Sequence, residues 1–157
     1  LGLEPAVLTA YSVKNVEICP GEMCKRSRQD SLALGLKLEK RFYAAPTPNR
    51  TKIVVVGCLN ACISAHGKDI AVLATEEGFI VVAGGSAGYN PRLSDRIAEK
   101  LTSDQAYNMV ESIYDYYCEI APMGEKLGHT IDRIGLVKFK EDVTKIYEKK
   151  ETGGENE

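Results

Sequence analysis

The stretch "KIVVVGCLNAC", Lys52 to Cys62, joins the most hydrophobic run of the sequence to a glycine and two cysteines. Thr51 to Val56 is rich in β-branched residues, which favour a buried strand. A second cysteine pair, Cys19 and Cys24, follows the alternating segment "VKNVEI", which predicts another strand. Two adjacent strands that end at one edge of a sheet would bring the four thiols together, and the residues between the pairs would supply a crossover helix.

The rest of the sequence predicts further strands and helices around these two. "DIAVLA" and "FIVVAGG" predict a hairpin across "TEEG", and the C-terminal part is helical. Helical patterns cover residues 25–43, 91–100 and 103–120, with Ser103 as the N-cap of the last. We therefore expect an α+β fold, a mixed β-sheet covered by helices, in one domain over residues 1–150 with a disordered tail over 151–157.

Composition excludes several classes of partner. The chain has 157 residues, is 44% hydrophobic and 27% charged, and has a net charge of −2, which indicates an ordinary globular domain. Nothing in this charge balance suggests nucleic acid or a membrane surface. There is no apolar run of membrane-spanning length and no signal-peptide pattern, so we expect a cytoplasmic protein. The sequence begins at Leu1 and not at a methionine, so we also expect a segment upstream.

Four of the five cysteines fall into the two glycine-flanked pairs. In a chain of this length without an export signal, paired cysteines more often hold metal than form disulfides. A zinc site and a [4Fe–4S] cluster both take four thiolates, and the spacing alone does not separate them. Zinc knuckles usually occur in small modules with little core, whereas these pairs follow the core strands of a full domain.

"CPGEMC" followed by "KIVVVGCLNAC" resembles the cluster-and-sirohaem motif of the nitrite and sulfite reductases. The likeness continues through "DIAVLA", the "GG…G…PR" loop and "YYCEIAPMGEKLGHTIDRIG…KFK", from about Asn15 to Asp142. The resemblance implies this family's fold and a [4Fe–4S] cluster, and it makes Cys62 the bridge to the sirohaem iron. The implied cluster ligands are Cys19, Cys24, Cys58 and Cys62. The spacing between the first two is one residue shorter than is usual in the family.

Sirohaem carries many carboxylates, so its pocket needs cations and amide donors. Arginine suits this role because its planar fork donates two hydrogen bonds to a carboxylate. Most of the candidate residues lie beside the cysteine turns or the glycine loop, although each one taken singly is more often a solvated surface residue. The candidates are Arg26, Arg28, Arg50, Lys52, Asn60 and Arg92. The loop Gly84 to Gly88 would either offer backbone amides to the cofactor or form a simple turn.

The resemblance also implies a reaction: the multi-electron reduction of sulfite or nitrite, with electrons from a donor protein. In that family much of the substrate face comes from a second, related half, which is not in this sequence, so no catalytic residue is assigned. We expect a homodimer to close the pocket. The competing hypothesis is a non-catalytic iron–sulfur electron carrier or tetrapyrrole-binding module, with a structural zinc domain as a weaker alternative.

Overall fold

A computed structural model describes residues 6–153 of the protein. Its centre is a five-stranded sheet in the order β1-β2-β3-β4-β5. The strands are β1 Glu17–Ile18, β2 Ile53–Val56, β3 Ile70–Thr75, β4 Gly78–Ala83 and β5 Asp95–Leu101. The β1–β2 and β2–β3 pairs are parallel, whereas the β3–β4 and β4–β5 pairs are antiparallel, so the sheet is mixed. Four helices accompany it, which confirms the predicted α+β class.

The two faces of the sheet carry different covers. Because side chains alternate along a strand, Ile53 and Val55 lie on one face and Val54 and Val56 on the other. The first face packs under the helices and forms the main core. The second face packs under the connection between β2 and β3, whose Ala65 is fully buried. This connection, residues 57–69, carries the second cysteine pair across the sheet.

Helix α1, Ser31–Phe42, connects β1 to β2 and buries Leu34, Leu38 and Phe42 as its apolar stripe predicts. The prediction that this helix begins at Lys25 is wrong. Asp30 is the N-cap, and its carboxylate accepts a hydrogen bond from the backbone N–H of Ala33 at 2.9 Å. Residues 25–30 instead turn back toward the end of β2.

The helix predicted over residues 91–100 is also wrong, because most of this segment is strand β5. It pairs with β4 from Ala83↔Asp95 to Phe79↔Leu101, with irregular register near Val81. Arg92 forms a separate antiparallel bridge with Ser86. The free edge of β4 offers a hydrogen-bonding ladder, and this tertiary pairing overrides the local helical pattern.

The C-terminal part is helical, as predicted, in α3 Leu127–Ile134 and α4 Leu136–Gly153. The predicted tail begins too early, since residues 151–153 belong to α4 and Glu151 accepts a hydrogen bond from Asn108 at 2.7 Å. Residues 154–157 lie outside the described part of the chain. Among the helices that the structure describes, none combines the length and apolar character needed to cross a bilayer.

Helix α2, Ser103–Ile120, has the predicted bounds but a different cap. Thr102 is the N-cap, and its hydroxyl accepts a hydrogen bond from the backbone N–H of Gln105 at 3.2 Å. The Gln105 side chain accepts in return from the backbone N–H of Thr102 at 3.0 Å. This capping box satisfies two backbone donors at the start of the helix.

We predict that Thr102→Ala lowers the free energy of unfolding by about 1 kcal/mol, because a backbone donor of α2 loses its acceptor. The measurement is the midpoint of urea unfolding at an unchanged slope. Ser103→Ala is the matched control and is expected to change stability by less than about 0.5 kcal/mol. A larger loss for Ser103→Ala than for Thr102→Ala would contradict this assignment of the cap.

Candidate metal centre

The two cysteine turns meet at one edge of the sheet. Since β1 and β2 are parallel, Cys19 and Gly57 leave their strands side by side. The backbone N–H of Cys19 donates to the carbonyl of Val55 at 3.0 Å and extends the ladder by one residue. The backbone N–H of Gly57 then donates to Cys19 Sγ at 2.9 Å. Cys19 is thus held by β2 and by Gly57, the residue that directly precedes Cys58.

Gly57 matters because the loop after Cys24 lies directly on it. The backbone N–H of Arg28 donates to the carbonyl of Gly57 at 2.7 Å. A Cβ atom at Gly57 would lie 2.6 Å from Ser27 Oγ, closer than real contacts allow. The space left by the missing side chain is therefore filled by the protein's own loop, which fixes the Cys24 turn against β2.

The second cysteine pair lies on the connection between β2 and β3, which crosses the second face of the sheet. Cys58 is partly buried at the edge of the sheet, whereas Cys62 is exposed on the outer side of the connection. Ala61 and Ser64, on either side of Cys62, have left-handed backbones with φ of 48° and 58°. Non-glycine residues in this conformation are strained and concentrate at functional sites.

All five cysteines are free thiols. Within residues 6–153, however, no three Cys, His, Asp or Glu side chains stand close enough together to hold a metal ion. The donor set still suits a soft metal centre, because four unpaired sulfurs occupy two turns of one edge and one of them accepts a backbone N–H. A metal that bound these cysteines would also have to draw them together, because metal binding and folding are coupled.

A cavity of about 650 Å³ opens beside Cys58 and is large enough for a cofactor or substrate. Its lining includes Asn60 and six charged side chains: Arg26, Arg28, Lys100, Glu76, Glu77 and Glu99. Arg28 pairs with Glu76 at 3.2 Å and Lys100 with Glu77 at 2.9 Å. Arg26 forms no ion pair with any residue that the structure describes. Three of the six predicted cofactor-binding residues, Arg26, Arg28 and Asn60, therefore meet at the cavity.

Arg50 and Lys52 lie elsewhere. They precede β2, whereas the cysteine turns follow it, so the length of the strand separates them from Cys58. Four residues of strand span about 13 Å. The structure does not bring these two cations to the cysteine edge, and their part in cofactor binding stays a prediction.

Arg92 is bound within the protein. Its guanidinium contacts Asp95 at 2.6 Å and Asp132 at 2.8 Å, and it donates to the carbonyl of Gly84 at 3.0 Å. The hydrogen bonds that Arg92 donates to Asp132 raise the pKa of Arg92, and the same contact lowers the pKa of Asp132. Arg92 therefore ties the glycine loop and β5 to helix α3, and its predicted role as a cofactor ligand stays untested.

The glycine loop packs against its own chain. A Cβ atom at Gly85 would lie 2.3 Å from the carbonyl oxygen of His66, so only glycine fits there. The loop follows β4, whose end pairs with Ile70 at the start of β3, at the edge away from the cysteines. This arrangement favours the simple-turn interpretation of the loop.

Two serines at the cysteine edge were missed by the sequence reasoning, Ser27 and Ser31. Ser27 packs on Gly57, and Ser31 Oγ lies 3.6 Å from Cys19 Sγ. In sequence they read as ordinary polar residues before or within a helix. A signal was nevertheless present, because serine directly before a helical stripe indicates a local hydrogen-bonding role. Cys118, by contrast, belongs to neither cysteine pair; it is half-buried in α2, and burial raises its pKa.

Residues 9–151 match the family model for the nitrite and sulphite reductase 4Fe-4S domain. The chain belongs to this family. It is 26% identical over 132 residues to the assimilatory-type sulfite reductase of Nitratidesulfovibrio vulgaris, covering 83% of this chain and 61% of that protein. It is 31% identical over 126 residues to the NAD(P)H nitrite reductase of Bacillus subtilis, covering 80% of this chain but 16% of that protein.

A solved structure of dissimilatory sulfite reductase I shares the fold with a TM-score of 0.78 at 14% identity. The superposition covers 87% of this chain and 53% of the other. The chain thus spans 61% or less of each of these proteins. The family model identifies a domain of the 4Fe-4S type and confirms the predicted family, and the shared structure confirms the predicted fold.

Proposed function

We propose that this chain is the part of a sulfite or nitrite reductase that holds a [4Fe–4S] cluster and sirohaem. The observation that carries the proposal is the meeting of both cysteine turns at one edge, where Gly57 N–H donates to Cys19 Sγ. The proposed cluster ligands are Cys19, Cys24, Cys58 and Cys62. A cluster and sirohaem held here would pass electrons from a donor protein to a small oxyanion and would supply the iron chemistry of its multi-electron reduction.

The chain's own residues would then bind and orient the carboxylates of the cofactor. Arg26 is the best candidate, since it lines the cavity and has no ion pair within the described residues. Arg28 pairs with Glu76, but their side chains are 51% and 77% exposed. An exposed ion pair contributes little to stability, so Arg28 can exchange its partner for a cofactor carboxylate at small cost. Asn60 adds an amide donor to the same cavity.

The substrate side of the pocket would come from outside this chain. The chain spans 61% of its sulfite reductase relative, which leaves room for a second wall. We propose that a second copy supplies this wall in a twofold dimer, the commonest symmetric assembly, and that a separate protein donates electrons. The free thiols fit a reducing compartment, so we also propose a cytoplasmic location.

A non-catalytic electron carrier is the second candidate function. It is favoured by the likeness to the assimilatory nitrate reductase electron transfer subunit of Bacillus subtilis, which is 24% identical over 131 residues and 83% of this chain. The visible spectrum of protein purified without air separates the candidates. Sirohaem gives strong bands, a cluster alone gives a broad shoulder, and zinc gives no colour.

We predict about four iron and four sulfide per chain after anaerobic purification. Cys58→Ser removes one ligand and is expected to abolish the cluster and lower stability, because metal binding and folding are coupled. Cys118→Ser is the matched control, since Cys118 contacts the carbonyl of Pro46 and not the candidate centre. Stoichiometric zinc without sulfide in the wild-type protein would overturn the proposal.

We predict that Arg26→Glu lowers sirohaem content severalfold while cluster iron stays near the wild-type amount, because a carboxylate replaces an unpaired cation at the cavity. The measurement is pigment extraction with iron and sulfide assays on the same samples. Arg50→Glu makes the same charge change at the other end of β2 and separates the two groups of candidate cations. Equal sirohaem loss in both variants would assign the carboxylates to a larger surface. Unchanged content in Arg26→Glu would refute the role of this cavity.

We predict that cofactor-loaded protein elutes as a dimer in size-exclusion chromatography with light scattering at micromolar concentration. A sirohaem bound on one wall would expose a wide apolar face, and such faces are normally covered by a partner. Cofactor-free protein at the same concentration is the control and is expected to contain more monomer. A monomer that retains its sirohaem would show that one chain closes the pocket unaided.

A further inference from the structure

The side chain of Ser31 is enclosed at the cysteine edge. Ser31 is the first residue of α1 and is 0% exposed. Its Oγ fills a small space between two glycines, since Cβ atoms built at Gly21 and Gly57 would lie 3.2 Å and 3.1 Å from it. Cys19 Sγ lies 3.6 Å from the same oxygen. Both glycines therefore leave room for this hydroxyl beside the sulfur.

Two donors converge on the Cys19 sulfur. The backbone N–H of Gly57 donates to Cys19 Sγ at 2.9 Å, and the Ser31 hydroxyl reaches the same atom. Among residues 6–153, no other group forms a hydrogen bond with Ser31 Oγ. A thiolate can only accept, so once Cys19 is a metal ligand the hydroxyl proton must point at the sulfur.

We propose that Ser31 is a positioning residue that raises the reduction potential of the cluster bound through Cys19. This inference rests on the proposed function, because it requires Cys19 to be a cluster ligand. One-electron reduction adds a negative charge that is spread over the cluster and its sulfurs. A hydroxyl aimed at one of these sulfurs stabilises the reduced form more than the oxidised form, so the potential rises.

The neighbouring serine provides a matched control. Ser27 lies in the loop that leads into α1 and, like Ser31, packs on Gly57. Its hydroxyl donates to the carbonyl of Gln29 at 3.1 Å and does not contact the Cys19 sulfur. Ser31→Ala and Ser27→Ala thus remove the same group from the same edge, and only the first removes a hydrogen bond to sulfur.

The test is a redox titration of anaerobically purified holoprotein followed by electron paramagnetic resonance, with iron and sulfide assays on each sample. We expect Ser31→Ala to keep its cluster and to lower the reduction equilibrium constant about threefold to tenfold, or ~30 to ~60 mV for a one-electron couple. Ser27→Ala is expected to titrate like the wild type. Ser31→Thr retains a hydroxyl and is expected to restore the potential.

A full cluster in Ser31→Ala with an unchanged potential would overturn the inference. If that variant holds too little cluster to titrate, Ser31→Thr and Ser31→Val decide, because they share a shape and differ in the hydroxyl. A lower potential for the valine variant supports the inference, and equal potentials overturn it. A wild-type protein without iron and sulfide would instead refute the proposed function itself.

Discussion

The parallel pairing of a two-residue strand, Glu17–Ile18, with β2 is the constraint on which the rest of the structure depends. It places the ends of β1 and β2 at one edge, so that Cys19 and Gly57 leave the sheet together. An antiparallel pairing would have put the two cysteine turns at opposite edges. Because parallel neighbours need a long crossover, this pairing accounts for helix α1, and the parallel pairing of β2 with β3 accounts in the same way for the connection that carries Cys58 and Cys62.

Ion pairs at the opposite edge of the sheet join helix α3 to the strands. Asp69 is 3% exposed there, accepts a hydrogen bond from the backbone N–H of Lys52 at 2.9 Å, and lies 3.4 Å from Lys126 Nζ. Burial raises the pKa of Asp69, and the Lys126 cation opposes that effect. Together with the Arg92 ion pairs, this contact joins α3 to the starts of β2 and β5. The charged contacts between helix and sheet thus lie at the edge away from the cysteine turns.

Sequence pattern correctly predicted the strands and helices whose type is determined by their own residues. The β-branched run of β2, the β3–β4 hairpin and the apolar stripe of α1 all have the predicted type. The errors fall where distant partners decide. Residues 95–101 form a strand because β4 offers a free edge, and residues 25–30 turn because the carbonyl of Gly57 accepts from Arg28. No local window contains either partner.

The same distinction applies to the site. The meeting of the two cysteine turns could be predicted, because each pair directly follows a predicted strand. The helix predicted between the two strands indicates a parallel pairing, which brings their ends to one edge. The separation of Arg50 and Lys52 from Cys58 was also readable, since the predicted strand lies between them. What no sequence pattern shows is that Arg26, Arg28 and Asn60, from two different turns, line one cavity.

The two cysteine pairs also differ in how far the fold prepares them. The short Cys19–Cys24 loop is closed by a 3-10 turn, with Cys24 N–H donating to the carbonyl of Gly21 at 2.9 Å, and it lies against Gly57 through Ser27 and Arg28. The Cys58–Cys62 connection instead crosses the sheet with two strained residues and leaves Cys62 exposed. Because the first pair is already fixed by backbone contacts, the ordering that accompanies metal binding would fall on the second pair.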